Sequence, residues 1–213
     1  IVGADKTYRA TMRLGYATTT DDAQGRALEA QGNLSLCTPE AIAQAAVGFT
    51  GVIEQVPSSF SAIKVDGKRA YALAREGKEV TLKARQVTVH SLTVGHSVAG
   101  QGFIDVELVV ECSSGTYIRA LARDIGAVLG VGGHLVALTR DRIGPFSVES
   151  ASRAEDLTEA SLLSLAEVAR HIMPVVKVGV DEADDLRHGR AVDAESWPAD
   201  QPLAALEEAS GEL

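Results

Sequence analysis

Residues 103–112 read FIDVELVVEC, and the chain continues as SSGTYIRALARD over residues 113–124. Apolar residues recur at every second position from Ile104 to Cys112, while Asp105, Glu107 and Glu111 lie between them. A period of two is typical of a strand with one buried face. The segment therefore predicts a strand whose apolar side faces a core.

The segment after this strand has a different period. Leu121, Ile125 and residues 128–129 have helical spacing, and the glycine-rich stretch 130–133 predicts the end of the helix. For the residues just before this helix, the sequence allows two conformations. If the chain stays extended to Arg119, the side chains of Tyr117 and Arg119 project to the same side at the end of a sheet. In a helix they lie about 200° apart, which favours a capping role and a surface ion pair.

The rest of the sequence predicts further strands and interspersed helices. Four segments predict strands: residues 6–16, 61–65, 86–98 and 134–143. Three segments predict helices: residues 39–47, a short stretch after Gly67, and residues 157–168. Because helices are interspersed irregularly among the strands, we predict an α+β fold with a mixed, mainly antiparallel sheet and flanking helices.

The net charge of −9 is unevenly distributed along the chain. Residues 1–150 hold 15 basic and 15 acidic side chains, whereas residues 151–213 hold 5 and 14. An acidic protein is a poor partner for nucleic acid, but here the acidity belongs to the last 63 residues. Residues 60–86 carry 7 basic side chains against 3 acidic ones, and within them residues 64–85 are the chief candidate for a nucleic-acid contact.

Several kinds of site lack the residues that they need. Cys37 and Cys112 form no CxxC pair, the five histidines have no metal-ligand spacing, and neither GxSxG nor GxxxxGK[ST] occurs. Asp21-Asp22 has no EF-hand spacing around it, so we interpret the pair as solvated loop acids. No apolar run reaches 18 residues, which predicts no membrane span.

Three groups of residues occur in an order and spacing that resembles a known family. They are Lys6-Thr7-Tyr8, the segment from Ser61 to Arg69, and the segment from Cys112 to Asp124. Together with Thr18 to Ala23 and Gly132-Gly133-His134-Leu135, they resemble the TruB family of tRNA pseudouridine synthases, in its actinobacterial type. The resemblance covers residues 1 to about 150.

The resemblance implies an isomerase that converts the uridine of the tRNA T-loop, position 55 by tRNA convention, to pseudouridine. The N1–C1′ glycosidic bond breaks, the uracil turns, and a new bond forms through C5. Neither a cofactor nor a metal is implied. Extruding the base costs a few kcal/mol, and stacking on an aromatic side chain returns about 1–3 kcal/mol.

The family's site residues carry over to the matching positions. By similarity, Tyr8 stacks on the target base, while Tyr117 lies against its other side and is the candidate base for the C5 proton. Arg119 is expected to pair with the catalytic aspartate and orient it. Leu138 is expected to wall the pocket, and Lys64 to contact the substrate or support the fold.

The implied partner is the T-arm of tRNA. We expect Lys68, Arg69 and Arg75 to contact RNA, since they lie in the basic segment. We expect a cytoplasmic monomer with no membrane contact.

One family motif does not occur in residues 1–213. The catalytic aspartate belongs to a Gly-x-Leu-Asp-Pro motif upstream of the Lys-x-Tyr strand, and the sequence has no such motif. We therefore expect residues 1–172 to be a catalytic domain without its N-terminal part, and this chain alone to be inactive. Residues 173–213 resemble the start of a PUA-like RNA-binding domain; an acidic linker is the alternative.

Two other hypotheses compete with the enzyme. The missing aspartate motif favours a non-catalytic RNA-binding or tRNA-folding module, and the acidic surface favours a small-molecule enzyme. A small-molecule enzyme should show no salt-dependent binding of tRNA, whereas RNA binding by either of the other two weakens steeply with salt.

Overall fold

The computed structural model describes residues 3–29, 32–61, 64–65, 68–70, 82–194, 196–198, 200–208 and 210. The chain divides into two compact units, residues 2–143 and residues 144–213. The sequence-based boundary between residues 172 and 173 stays a prediction.

The first unit is built around a sheet. Its strands are β1 Lys6–Leu14, β2 Gly51–Gln55, β3 Lys64–Val65, β4 Lys68–Arg69, β5 Arg85–Gly100, β6 Phe103–Cys112 and β7 Gly133–Ile143. The helices among its described residues are a 3₁₀ turn at Leu34–Leu36, α1 Pro39–Val47 and α2 Ile118–Val128. Five strands form an antiparallel sheet in the order β2-β5-β6-β1-β7, and β3 pairs with β4 as a separate antiparallel hairpin. The turn at 66–67 and the short helix predicted after it lie outside the described residues.

One face of the sheet forms the core of this unit. On the central strand β1, Met12 lies between Val106 of β6 and Leu135 of β7, and all three are buried. Helix α2 contributes Leu121 and Ile125 to the same cluster. Burying a side chain of this size stabilises a fold by roughly 1.5–3 kcal/mol. The alternating strand pattern and the helical pattern of the sequence therefore meet in one core.

Two glycines set the distance between α2 and β7. A Cβ atom on Gly126 would lie 2.3 Å from the backbone nitrogen of Gly133. A Cβ atom on Gly133 would lie 2.4 Å from the carbonyl oxygen of Ala122. Both separations are shorter than van der Waals contact, so only glycine allows the helix to lie this close to the start of β7.

The second unit contains shorter elements. They are β8 Phe146–Ser147, three 3₁₀ turns at Val148–Ser150, Ala154–Asp156 and Glu159–Ser161, α3 Leu165–Ile172, β9 Val175–Val178, α4 Val180–Arg187 and β10 Ala204–Glu207. Strands β9 and β10 pair in parallel.

The helix predicted over residues 157–168 is wrong for most of its length. Ser164 and Glu167 form a capping box, in which each side chain bonds the backbone nitrogen of the other residue. A capping box marks a helix N-terminus, so α3 begins only at Leu165. The residues before it form 3₁₀ turns, one of which Thr158 and Ser161 close with their own hydrogen bonds.

The described elements confirm the predicted fold class, which is α+β with a mainly antiparallel sheet and helices. Within the described part of the chain, no helix has the length and apolar character needed to cross a membrane.

Candidate active site

Gln55 fixes the point at which α2 begins. Its side chain is buried, and it binds both backbone groups of Tyr117: the amide nitrogen of Tyr117 donates to Oε1 at 2.8 Å, and Nε2 donates to the Tyr117 carbonyl at 3.1 Å. Tyr117 has extended dihedral angles and is the N-cap residue, without a capping bond from its own side chain. The end of β2 therefore holds the N-cap of α2 in place.

Arg119 lies in the first turn of α2, so the extended alternative for this residue is wrong. Its guanidinium joins two loops. Nη1 donates to Oδ2 of Asp22 at 2.7 Å and to the carbonyl of Thr20 at 3.4 Å, and Nη2 donates to the carbonyl of Phe60 at 2.7 Å. Since these bonds use three of the five N–H groups, Nε–H and the second N–H of Nη2 have no acceptor among the described residues.

A cleft of about 370 Å³ lies beside this ion pair. Residues of the 18–27 loop, of α2 and of β7 line it: Asp22, Ala23, Gln24, Arg119, Leu135, Val136, Ala137 and Leu138. One wall is apolar and the other carries the ion pair. Apolar walls with a few convergent polar groups are typical of ligand sites.

The carboxylate of Asp22 is held ionised in this cleft. Burial acts to raise its pKa, but hydrogen bonds from the Thr20 hydroxyl, the Gln24 backbone nitrogen and the Arg119 guanidinium outweigh burial and lower the pKa. The Thr20 oxygen lies 2.6 Å and the Gln24 nitrogen 3.0 Å from Oδ1. Its negative charge therefore complements Arg119 and orients it.

The structure brings two of the predicted site residues, Arg119 and Leu138, to the same cleft. Leu138 is 48% exposed and pairs with Ala10 across the β1–β7 ladder. Tyr8 lies two residues before Ala10 on the same face of β1, half-buried against the core cluster. Tyr117 directly precedes the helix that carries Arg119. Neither tyrosine is among the described residues that line the cleft.

The predicted basic residues are located only in part. Lys64, Lys68 and Arg69 lie in the β3–β4 hairpin, where Lys64 pairs with Arg69. Their side chains lie outside the description of the structure, as does Arg75 altogether.

The interpretation of Asp21-Asp22 as solvated loop acids is wrong. Asp22 pairs with Arg119, and Asp21 is paired with Arg123 at 3.3 Å and has a side chain only 14% exposed. One feature of the sequence is consistent with these ion pairs: two acidic residues are adjacent on a loop, and two arginines lie four positions apart on a helix. Because Asp22 and Arg119 are 97 positions apart in the sequence, spacing alone could not pair them.

The fold is shared with two solved structures. The chain superimposes on a crystal structure of a Cbf5-Nop10-Gar1 complex with a TM-score of 0.60, at 25% identity over 89% of this chain. It also superimposes, with a TM-score of 0.64, on a chain in the structure of an H/ACA RNP bound to a substrate RNA containing 2′-deoxyuridine. At 21% identity this second likeness shows the fold alone. The chain spans 50% and 58% of those two chains.

The sequence comparisons give the family. Residues 1–118 match the N-terminal domain of the TruB family pseudouridylate synthases, and residues 119–178 match the C-terminal domain of tRNA pseudouridylate synthase B. A tRNA pseudouridine synthase B of Paenarthrobacter aurescens (strain TC1) is 46% identical, over the whole of this chain and 71% of its own length. One of Rhodococcus jostii (strain RHA1) is 50% identical over 87% of this chain and 61% of its own length. The chain belongs to the TruB family of tRNA pseudouridine synthases, which isomerise uridine to pseudouridine in RNA.

Proposed function

We propose that the protein containing this chain converts the T-loop uridine of tRNA, position 55, to pseudouridine in the cleft beside Arg119. The observation that supports this proposal is the hydrogen bonding of the Arg119 guanidinium. The guanidinium is held by Asp22, Thr20 and Phe60, and its Nε–H has no acceptor in the part of the chain that the structure describes. An arginine fork with a free donor can bind a second carboxylate with directional hydrogen bonds.

Asp22 is a poor candidate for the reacting carboxylate. It already accepts hydrogen bonds from Thr20, Gln24 and Arg119, which stabilise its charge and lower its pKa. A carboxylate held in this way is a weaker nucleophile than a free one. We propose that Asp22 positions Arg119, and that Arg119 positions a catalytic aspartate supplied by a Gly-x-Leu-Asp-Pro motif outside residues 1–213.

The remaining roles follow from the family and the cleft. Leu138 offers an apolar wall to the uracil, and Tyr8 provides an aromatic face on the same side of the sheet. Tyr117 lies at the start of α2 and is proposed as the base for the C5 proton. Lys64, Lys68, Arg69 and Arg75 are proposed to serve substrate and RNA binding. We further propose that the protein binds the T-arm of tRNA, and that it acts as a monomer.

Tritium release from tRNA labelled at uridine C5 tests the proposal. The protein expressed from the complete coding sequence should release tritium, and Arg119→Ala should abolish release because the catalytic carboxylate loses its partner. Binding of tRNA, measured by filter retention, should be largely preserved in the variant. Equal loss of turnover and affinity would contradict the role given to Arg119.

The 213-residue chain alone is the second arm of this experiment. It should bind tRNA without releasing tritium, since Asp22 is held by its own partners. Turnover by residues 1–213 would show that the reacting carboxylate is within them. Binding without turnover by the complete protein would favour the alternative, a non-catalytic RNA-binding or tRNA-folding module.

A further inference from the structure

A second arginine of α2 makes a second connection to the same loop. Arg123 lies one helical turn after Arg119, and residues four apart share a helix face. Its Nη1 donates to Oδ2 of Asp21 at 3.3 Å, and its Nη2 to the carbonyl of Val56 at 2.7 Å. Its Nε donates to Asp124 at 2.8 Å. Arg123 therefore joins α2 both to the 18–27 loop and to the segment that follows β2.

The two arginines hold adjacent carboxylates. Arg119 binds Asp22, and Arg123 binds Asp21. Each arginine also binds a backbone carbonyl in the segment after β2, at Phe60 and Val56 respectively. The Asp21-Asp22 dipeptide is thus attached to α2 at two points, one helical turn apart.

The backbone of Asp21 has a conformation that requires such support. Its φ of 60° is in the left-handed region, the only positive φ of a non-glycine residue in the described chain. Strained residues of this kind persist where their surroundings hold them in place. The Asp21 carbonyl accepts from the Leu135 nitrogen at 3.0 Å, its amide donates to Thr18, and its side chain is bound by Arg123.

This conformation decides where the next side chain points. A left-handed residue turns the chain sharply, and here the turn directs the Asp22 carboxylate toward Arg119 in the cleft. We propose that Arg123 is a positioning residue for the reaction: through Asp21 it holds the turn that sets the orientation of the Asp22–Arg119 pair. This inference rests on the proposed function.

Arg123 acts at a distance from the reacting groups. It is not among the described residues that line the cleft, whereas Asp22 and Arg119 both are. Loss of its contact with Asp21 should therefore misorient Arg119 while the surfaces that bind tRNA stay intact. A small misplacement of a catalytic group is enough to slow a reaction by an order of magnitude or more.

The test compares Arg123→Gln and Asp21→Asn with the wild type, all expressed from the complete coding sequence. We expect kcat for tritium release to fall about tenfold, with little change in KM for tRNA. Asp21→Asn keeps the size of the side chain and carries the test if Arg123→Gln does not fold. Thermal unfolding of each variant shows which of them are folded.

Arg9→Gln is the matched control. Arg9 is also paired with an aspartate, Asp141, at 2.6 Å. It alternates with Tyr8 and Ala10 along β1 and so lies on the opposite face of the sheet. Its replacement removes one arginine–aspartate pair and should leave kcat unchanged.

A double-variant cycle separates positioning from general stabilisation. If Arg123 acts through Asp22, then Arg123→Gln should cause no further loss of kcat in a protein that already carries Asp22→Asn. An additive loss, an effect on KM alone, or an unchanged kcat in a folded Arg123→Gln or Asp21→Asn variant would overturn the inference. A wild type without turnover would instead overturn the proposed function and this role with it.

Discussion

At the scale of single residues, the site depends on partners that are remote in sequence. Gln55 and Tyr117 are 62 positions apart, and Asp22 and Arg119 are 97 apart. The sequence predicted that Tyr117 and Arg119 are site residues, because their motif resembles that of the TruB family. It could not predict whether Arg119 is extended or helical, since the buried amide of Gln55 decides where the helix begins.

His134 is a buried residue whose titration should affect stability. It is 2% exposed, its Nδ1 lies 3.0 Å from the Tyr16 carbonyl, and its ring packs against the Tyr16 ring. Burial is the main cause that lowers its pKa. The folded protein therefore favours the neutral imidazole, which contributes stability above the unfolded pKa of about 6.5 and loses that contribution as the pH falls below it.

We expect the melting temperature of the wild type to fall more steeply from pH 7 to pH 5 than that of His134→Gln. Glutamine can donate to Tyr16 but does not titrate. Thermal unfolding followed by circular dichroism at several pH values measures the difference. Parallel curves for the two proteins would show that His134 does not contribute to the pH dependence.

At the scale of elements, the alternating pattern predicted the long strands β1, β5, β6 and β7, but it did not predict β2, β9 or β10. Strand β6 has the predicted bounds, and β5 and β7 differ from prediction by a few residues at their ends. Apolar alternation of this length specifies one buried face, so local sequence determines the strand. The 157–168 helix was wrong because the hydrogen bonds of Ser164 and Thr158 outweigh apolar spacing there.

The contact between α2 and β7 yields a prediction against helix propensity. Alanine is favoured over glycine in a helix by about 1 kcal/mol, yet Gly126→Ala would place a Cβ atom 2.3 Å from backbone. Overpacking costs about 1–3 kcal/mol, and a backbone contact has little freedom to yield. We therefore expect Gly126→Ala to lower the free energy of unfolding by about 1 kcal/mol or more in urea titrations.

Gly48→Ala is the control for that substitution. Gly48 ends α1 with helical dihedral angles, and a Cβ atom there would meet only ordinary contact, at 3.6 Å. Its replacement should leave stability unchanged or raise it by about 0.4–1 kcal/mol. Equal effects of the two substitutions would show that the glycine contact does not determine how α2 packs.

At the scale of the whole molecule, the net charge of −9 is the sum of two parts of the chain with different charge balance. The acidic residues are concentrated after residue 150, in the second unit, while the basic segment 60–86 belongs to the first. The net charge of the whole chain therefore argued against RNA binding, whereas the distribution of charge along the chain is consistent with a family that acts on RNA. The charge balance changes near residue 150, close to the division after residue 143, but a change of charge alone does not define where one compact unit ends.

Binding of tRNA should depend on salt through the basic segment. Each cation that contacts a phosphate contributes close to one unit to the slope of log K against log salt. Replacing Lys68 and Arg69 together by glutamine should reduce the slope by about 2 units. Arg153→Gln, which removes an exposed cation of the second unit, should leave it unchanged; a slope insensitive to the Lys68/Arg69 replacement would place the RNA contact elsewhere.

The way in which Gln55 binds Tyr117 makes position 117 open to chemical substitution. Both hydrogen bonds go to backbone atoms, so the helix start does not depend on which aromatic ring the residue carries. Fluorinated tyrosines, whose phenols are more acidic, could be installed there without moving Arg119. Varying the acidity of the ring at 117 in this way would therefore test the proton transfer proposed for Tyr117 while Arg119 stays in place.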